Sequence, residues 1–108
     1  MDTLMKMALS DMDFVTFEAR AADAAGLLKA LANERRLMIL CKLFEAGEMN
    51  VSRLSEAVGL SQSALSQHLA RMRDENLVAF RREAQTLFYR VSDPNVARLL
   101  STLKSIFC

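Results

Sequence analysis

The sequence lacks any long apolar run: its longest strictly apolar stretch is LMILC, residues 37–41. A membrane-spanning helix needs roughly 20 predominantly apolar residues, so the sequence predicts no such helix. The first residues, MDTLMKMALSDMDF, also lack the continuous apolar core and the cleavage site of a secretory signal. We therefore expect a cytoplasmic protein.

Cysteine and histidine are scarce, with two cysteines, Cys41 and Cys108, and a single histidine, His68. Stable disulfides are rare in the cytoplasm, so these cysteines do not indicate a structural disulfide framework. The sequence has no CxxC pair, no glycine-rich phosphate loop and no histidine near either cysteine. A thiol enzyme such as a peroxidase or reductase is therefore a weak alternative, and we expect no catalytic residues and no cofactor.

The composition indicates one small domain whose charge is unevenly distributed. The chain has 108 residues, and its apolar content of 52% is high for that length, which a homodimer would explain. The net charge is only +1, but residues 1–34 carry three basic and six acidic groups and residues 35–108 carry eleven and seven. We expect the two parts to face different partners. We predict a loose tail over residues 1–12 and a single domain over residues 13–108.

Apolar residues recur at helical spacing in four segments of the first part of the chain, which predicts four helices. Capping residues and glycines indicate where these helices begin and end. The predicted spans are Phe14 to Leu31, Asn33 to Gly47, Asn50 or Ser52 to Gly59, and Ser61 to about Glu75. The residues predicted to point inward are Leu37, Leu40, Cys41 and Phe44 in the second helix, and Leu65, Leu69 and Met72 in the fourth.

The period then changes to that of strands at VAFRRE, residues 78–83, and TLFYRVS, residues 86–92. A two-residue turn at Ala84-Gln85 would pair Val78 with Val91, Phe80 with Tyr89, and Arg82 with Leu87. Neither turn residue favours positive φ, so a longer loop is the alternative. A last helix opens with proline in its first turn and presents Val96, Leu99, Leu100, Leu103, Ile106 and Phe107 on one side.

This order of elements predicts a mainly α fold with a small β-hairpin wing. The third and fourth helices have the spacing of a helix-turn-helix, and the hairpin directly after them has the position of a wing. The fold class is therefore a winged helix-turn-helix, and we expect it to be dimeric.

The outer face of the fourth helix carries short, neutral polar side chains rather than charges. Glutamine and serine can read base edges in the major groove, and arginines nearby can contact phosphates. We interpret the face as a DNA-binding surface, with a protein–protein module as the alternative and with His68 in a structural or phosphate-contacting role. The candidate DNA-binding residues are Gln62, Ser63, Ser66, Gln67, His68, Arg71, Arg81, Arg82 and Gln85.

Three segments together resemble the ArsR family of winged-helix repressors over about residues 20–108. They are LANERRLMILCKL, VSRLSEAVGLSQSALSQHLARMRDENLV and the RRE-x-x-TLFYRV wing. The resemblance implies a homodimer, paired through its first and last helices, that binds a near-palindromic double-stranded DNA operator and leaves it when an inducer binds. It also implies that the fourth helix enters the major groove.

Many members of this family sense metals, and the resemblance gives a reason to exclude that role here. The third-helix metal site of the family carries the pattern ELCVCDL, whereas the corresponding run here is EMNVSRL, residues 48–54. Asn50 and Ser52 stand where the two thiolates would be, so the soft-metal ligands are missing. The last helix, after Asp93, has no histidine and no glutamate. We therefore expect no metal site.

The placement of Cys41 in the second helix and Cys108 at the end of the last resembles the persulfide-sensing subgroup of the family, the BigR, SqrR and HlyU type. The resemblance implies that these two cysteines sense a persulfide or polysulfide inducer. They would become joined within one subunit by a disulfide or polysulfide bridge, which lowers DNA affinity.

An inert Cys41 is the alternative. Its apolar stripe would raise the pKa of its thiol, and Arg35, Arg36 and Lys42 are the cations near it in the sequence. In that case the protein would be a DNA-binding regulator that acts on another signal or antagonises another DNA-binding protein.

Overall fold

The computed structural model describes residues 13–108, and the tail predicted over residues 1–12 lies outside them. The chain divides into two compact units, one up to Asn33 and one of Glu34–Cys108. Within residues 13–108 no helix is long and apolar enough to cross a bilayer. The elements in chain order are α1 (Phe14–Leu31), α2 (Glu34–Ala46), β1 (Met49–Asn50), α3 (Val51–Val58), α4 (Gln62–Asp74), β2 (Val78–Glu83), β3 (Thr86–Val91) and α5 (Pro94–Phe107).

Helix α1 begins at a side-chain cap and carries an uncovered set of apolar residues. The Asp13 carboxylate accepts hydrogen bonds from the backbone N–H groups of Val15 and Thr16 and from the Thr16 hydroxyl. These bonds, chiefly that from the Thr16 side chain, lower the pKa of Asp13. The large apolar residues of α1 that stay exposed are Phe14, Val15, Phe17 and Leu28.

The helix-turn-helix forms because each end of its two helices has a residue suited to it. The Asn50 side chain accepts from the Arg53 N–H at 2.8 Å and so caps α3. Gly59, with φ of 68°, adopts the left-handed conformation that ends α3, and the Ser61 hydroxyl caps α4 by accepting from the Ala64 N–H. The sequence left open whether α3 begins at Asn50 or at Ser52, and the structure shows that Asn50 is its N-cap. Gly47, with φ of 84°, follows α2 as predicted.

The predicted hairpin is confirmed, and it belongs to a three-stranded antiparallel sheet of order β1-β3-β2. Val78 pairs with Val91, Phe80 with Tyr89, and Arg82 with Leu87, which is the predicted register. The strands are joined by the two-residue turn Ala84-Gln85 rather than by a longer loop, and Ala84 adopts a positive φ of 56° there. Sequence reasoning missed β1, a two-residue strand that pairs with β3.

The core of the second unit is apolar, and α4 supplies Leu65, Leu69 and Met72 to it as predicted, each with no exposed surface. The other fully or nearly fully buried apolar residues of this unit are Ile39, Leu40, Leu43, Leu54, Leu77, Val78, Tyr89, Val96 and Leu100. No buried side-chain polar atom in the described part of the chain lacks a hydrogen bond. Because one side of α4 packs into this core, the opposite side faces solvent.

The stripe predicted for α2 is only partly correct. Leu40 is fully buried, but the deepest positions otherwise belong to Ile39 and Leu43, while Leu37, Cys41 and Phe44 are half-buried. The two sets form neighbouring faces of one helix. One face packs into the core, and the other borders a cavity.

The predicted apolar side of α5 is buried over only part of its length. Val96 and Leu100 are buried, and Leu99 and Leu103 are half-buried. Ile106 and Phe107 are 65% and 80% exposed, so the last turn of α5 presents apolar surface to solvent.

Candidate functional site

Helix α4 presents a surface of neutral polar side chains. Gln62, Ser63, Ser66 and Gln67 are all exposed, and together they are called here the polar face of α4. His68 is only partly exposed. The face can donate and accept hydrogen bonds without placing a carboxylate opposite a phosphate backbone.

Exposed arginines lie on α4 and on the wing, and one of them connects these two elements. Arg71 and Arg73 lie exposed in the last turn of α4, and Arg82 is exposed on β2. The guanidinium carbon of Arg73 lies 5.2 Å from the centroid of the Phe80 ring, a distance typical of a cation–π contact. Gln85 is exposed at the tip of the wing. The candidate residues of α4 and of the wing thus belong to two elements that are in contact.

Arg81, in contrast, is committed to contacts within the protein. Its Nε and Nη2 donate to the Glu48 carboxylate, with an Nη2–Oε1 distance of 2.6 Å, and its Nη1 donates to Glu83. Its guanidinium carbon lies 4.5 Å from the centroid of the Phe88 ring. The hydrogen bonds with Glu48 and Glu83 raise the pKa of Arg81, and the bond from Arg81 lowers the pKa of Glu48. Arg81 therefore joins β2 to the residue that precedes β1.

A second ion pair anchors the end of α4. Nη2 of Arg36 on α2 donates to Oε2 of Glu75, the residue that ends α4. The hydrogen bond from Arg36 lowers the pKa of Glu75. Helix α2 is thus linked to the helix that carries the polar face.

The two cysteines border one cavity, which lies between α2 and α5 on the second unit. The cavity has a volume of about 300 Å³, and both thiols are free. Its wall is mostly apolar, and Glu45 and Lys104 are its charged members. The residues that define this thiol cavity are Leu37, Cys41, Phe44, Glu45, Leu100, Leu103, Lys104, Phe107 and Cys108.

The environment of Cys41 disfavours its thiolate. Burial raises the pKa of the Cys41 thiol most, and the charges of Cys108 and Glu45 raise it further. Lys104 acts in the opposite direction and lowers it. The cation that lowers the pKa of Cys41 is thus Lys104 on α5, which is distant in sequence from the nearby cations Arg35, Arg36 and Lys42.

Sequence reasoning missed Glu45 and Lys104, although a signal was present. Glu45 follows Cys41 by four residues, and Lys104 precedes Cys108 by four. Residues four apart lie on the same side of a helix, so each charge was placed beside a cysteine.

The positions aligned with a family metal site have other uses here. Asn50 caps α3, and Ser52 is exposed in its first turn. Across residues 13–108 no group of three or more histidine, cysteine or acidic side chains is arranged to hold a metal ion.

Known proteins resemble this chain over nearly its whole length. Residues 33–79 match the family described as "Bacterial regulatory protein, arsR family". The transcriptional activator HlyU of Vibrio cholerae is 48% identical over 97 residues, which cover 90% of this chain and 89% of that protein. The biofilm growth-associated repressor of Xylella fastidiosa is 39% identical over 107 residues, which cover 99% of this chain and 89% of that protein. The crystal structure of HlyU from Vibrio vulnificus superimposes with a TM-score of 0.83 at 46% identity, covering 90% of this chain and all of that one (100%).

Proposed function

This chain belongs to the arsR family of bacterial regulatory proteins, and we propose that it is a transcriptional repressor switched by reactive sulfur species. In its reduced form it binds a near-palindromic DNA operator as a homodimer. A disulfide or polysulfide bridge between Cys41 and Cys108 lowers its operator affinity. The observation that carries this proposal is that two cysteines from distant parts of the sequence border one cavity.

The polar face of α4 is the surface proposed to enter the major groove. Gln62, Ser63, Ser66 and Gln67 are exposed there, and glutamine pairs well with adenine while serine accepts or donates to several bases. Arg71, Arg82 and Gln85 are proposed to contact the sugar-phosphate backbone, as is His68 at the edge of the face.

We assign Arg81 a role in placing the wing on the DNA. Its guanidinium already binds two carboxylates, so a phosphate contact would have to replace one of them. The neutralised Glu48 and Glu83 repel phosphate less than free carboxylates would.

A homodimer would account for most of the large apolar residues that a single chain leaves exposed. On α1 these are Phe14, Val15, Phe17 and Leu28, and at the end of α5 they are Ile106 and Phe107. Apolar residues clustered on an exposed helix mark an interaction surface. Pairing through the first and last helices would give two copies of α4 and a two-fold symmetric operator. A regulator of this kind acts where the chromosome is, so we place it in the cytoplasm.

The sulfur chemistry balances with a low-molecular-weight persulfide, RSSH, as the oxidant. The Cys41 thiolate attacks the outer sulfur of RSSH, the donor's S–S bond breaks, and RS⁻ leaves with the electron pair. The Cys108 thiolate then attacks Sγ of the Cys41 persulfide and releases HS⁻, which leaves a disulfide. If Cys108 has also been persulfidated, its outer sulfur makes the same attack and the product is a trisulfide.

A bridge between α2 and α5 would reach the DNA-binding elements through direct packing. Helix α2 packs against α3 and α5, and α3 packs against α4. In the dimer, α5 belongs to the proposed subunit interface. Two recognition helices must sit about 34 Å apart to contact successive half-sites, so a small change in α5 relative to α2 would lower affinity.

One observation favours a second candidate, a DNA-binding regulator of the same family with inert cysteines. Burial raises the pKa of Cys41, which lowers the fraction of its reactive thiolate at neutral pH. Such a protein would respond to another signal or antagonise another DNA-binding protein.

The test is operator binding by fluorescence anisotropy before and after treatment with an organic persulfide, with intact mass recorded alongside. We expect lower operator affinity together with a Cys41–Cys108 crosslink, and we expect no such change in the Cys41→Ser and Cys108→Ser variants. Peroxide-treated protein is the comparison for sulfur selectivity. Unchanged affinity in protein whose cysteines carry added sulfur would instead support the second candidate.

A further inference from the structure

A charged pair spans the rim of the thiol cavity. Nζ of Lys104 on α5 lies 3.6 Å from Oε1 of Glu45 on α2. Both residues border the cavity together with Cys41 and Cys108. The pair therefore borders the same cavity as the two thiols and is half-exposed to solvent.

The two partners of this ion pair act on Cys41 with opposite signs. The Lys104 ammonium favours the thiolate and lowers the pKa of Cys41, whereas the Glu45 carboxylate disfavours the thiolate and raises it. Cys108, the residue that follows α5, also raises the pKa of Cys41. Removing one partner would leave the other unopposed.

We propose that Lys104 and Glu45 are positioning residues that set the reactivity of Cys41 in opposite directions, Lys104 promoting its attack on a persulfide and Glu45 restraining it. This inference rests on the proposed function for its sulfur donor. In the reaction, the Cys41 thiolate bonds to the outer sulfur of RSSH while the donor's S–S bond breaks and RS⁻ departs. Lys104 stabilises negative charge on the attacking sulfur and, at the cavity rim, on the leaving thiolate.

The fold does not depend on this ion pair. Its side chains are 54% and 53% exposed, and exposed ion pairs contribute little to stability. The core residues Leu40, Leu43 and Leu100 hold α2 and α5 in the second unit without it. A role in reactivity can therefore be separated from a role in folding.

The test measures Cys41 alone, by iodoacetamide alkylation in a Cys108→Ser background, at pH values on both sides of the ordinary thiol pKa. We expect Lys104→Met to slow alkylation at neutral pH and to move the rate profile to higher pH. We expect Glu45→Gln to accelerate it and to move the profile to lower pH. Each change should be about two- to fivefold at low salt, and added salt should reduce it.

A matched control and the signs of the two effects decide the outcome. Arg98 is exposed on α5 and does not border the cavity, so Arg98→Met removes a positive charge from the same helix without touching the pair. Its alkylation rate should equal that of the parent. Rates that change in the same direction in Lys104→Met and Glu45→Gln, or that do not change, would overturn the inference and leave a structural ion pair. An equal effect of Arg98→Met would also overturn it, in favour of overall charge.

A parallel measurement separates this inference from the proposed function. The same substitutions are made in the two-cysteine protein, and the rate of operator release by an organic persulfide is followed. Opposite alkylation effects without any persulfide-driven release would support the inference and contradict the proposed function. Persulfide-driven release in all variants, with identical alkylation rates, would support the proposed function and contradict the inference.

Discussion

The polar face of α4 and the thiol cavity differ in whether their polar groups are already paired within the protein. On α4, Gln62, Ser63, Ser66 and Gln67 are exposed, and within residues 13–108 their side chains form no hydrogen bonds. In the cavity, the wall is mostly apolar and the charges of Glu45 and Lys104 pair with each other. The polar face of α4 leaves its hydrogen-bond donors and acceptors available to a partner, whereas the charged groups of the thiol cavity form an ion pair with each other.

Under the proposed function, this difference separates the surface that recognises DNA from the cavity that senses sulfur donors. Free donors and acceptors on a rigid helix can bind a polar partner without first breaking internal bonds, which suits the reading of base edges. A half-buried thiol whose pKa is raised has a smaller fraction of reactive thiolate at neutral pH than a free thiol. Substitutions in α4 and in the wing test the recognition side of this contrast, in order from the largest expected effect to the smallest.

The largest effect should come from the side of α4 that faces the core. Leu69 has no exposed surface, so Leu69→Ala should leave a cavity and cost about 2–5 kcal/mol in the free energy of unfolding. Ser66→Ala, on the exposed side, should change it by less than about 0.5 kcal/mol. Urea denaturation followed by circular dichroism measures both. Equal losses would show that the two sides of α4 are not independent.

Gln67→Ala tests the polar face as a reader of sequence. The loss of a base contact should weaken binding to the operator, relative to random DNA, by about 1–3 kcal/mol. Fluorescence anisotropy with both DNAs gives the ratio. An unchanged ratio would refute the assignment of Gln67 to base contact, whatever happened to the absolute affinity.

Arg82→Ala tests the wing as a backbone contact and uses its neighbour as the comparison. We expect weaker binding to operator and random DNA alike, with the slope of log affinity against log salt reduced by about one. Arg81 is held by Glu48 and Glu83, so Arg81→Ala should reduce that slope less while disturbing the wing. Selective loss at the operator for Arg82→Ala would contradict its role as a phosphate contact.

The smallest effect should come from the tip of the wing. Ala84 has a φ of 56°, a conformation that costs an alanine more than a glycine. Ala84→Gly should therefore stabilise the protein by about 0.5–1 kcal/mol, less the extra freedom that glycine gives the unfolded chain. Thermal unfolding measures the change. A loss of stability would show that the unfolded-state term dominates at this turn.

The parts of the molecule that were predictable from sequence are those whose cause is local. The caps of α3 and α4, the inward positions of Leu65 and Leu69, and the register of the hairpin all follow from periodicity and from residues within a few positions. The DNA-binding candidates on α4 lie in one continuous segment, so their shared face could be read from helical spacing alone.

The parts that sequence reasoning missed depend on residues far apart in the chain. Strand β1 is too short to have a periodicity and exists because it pairs with β3. Arg81 looked like any other basic residue of the wing, because its partner Glu48 lies 33 positions earlier. The thiol cavity is lined by α2 and α5, which lie at opposite ends of the sequence of the second unit. Residue spacing therefore could not pair Cys41 with Cys108, and only the resemblance to a family predicted that they act together.

The division of α4 into a buried side and an exposed side also bears on how such a protein can diverge. Under the proposed function, substitutions at Gln62, Ser63, Ser66 or Gln67 would change which bases are contacted. They would remove no core packing, since all four side chains are exposed. A duplicated gene could therefore acquire a new operator preference through surface changes alone. Its copies would keep one fold and one thiol cavity while controlling separate sets of promoters.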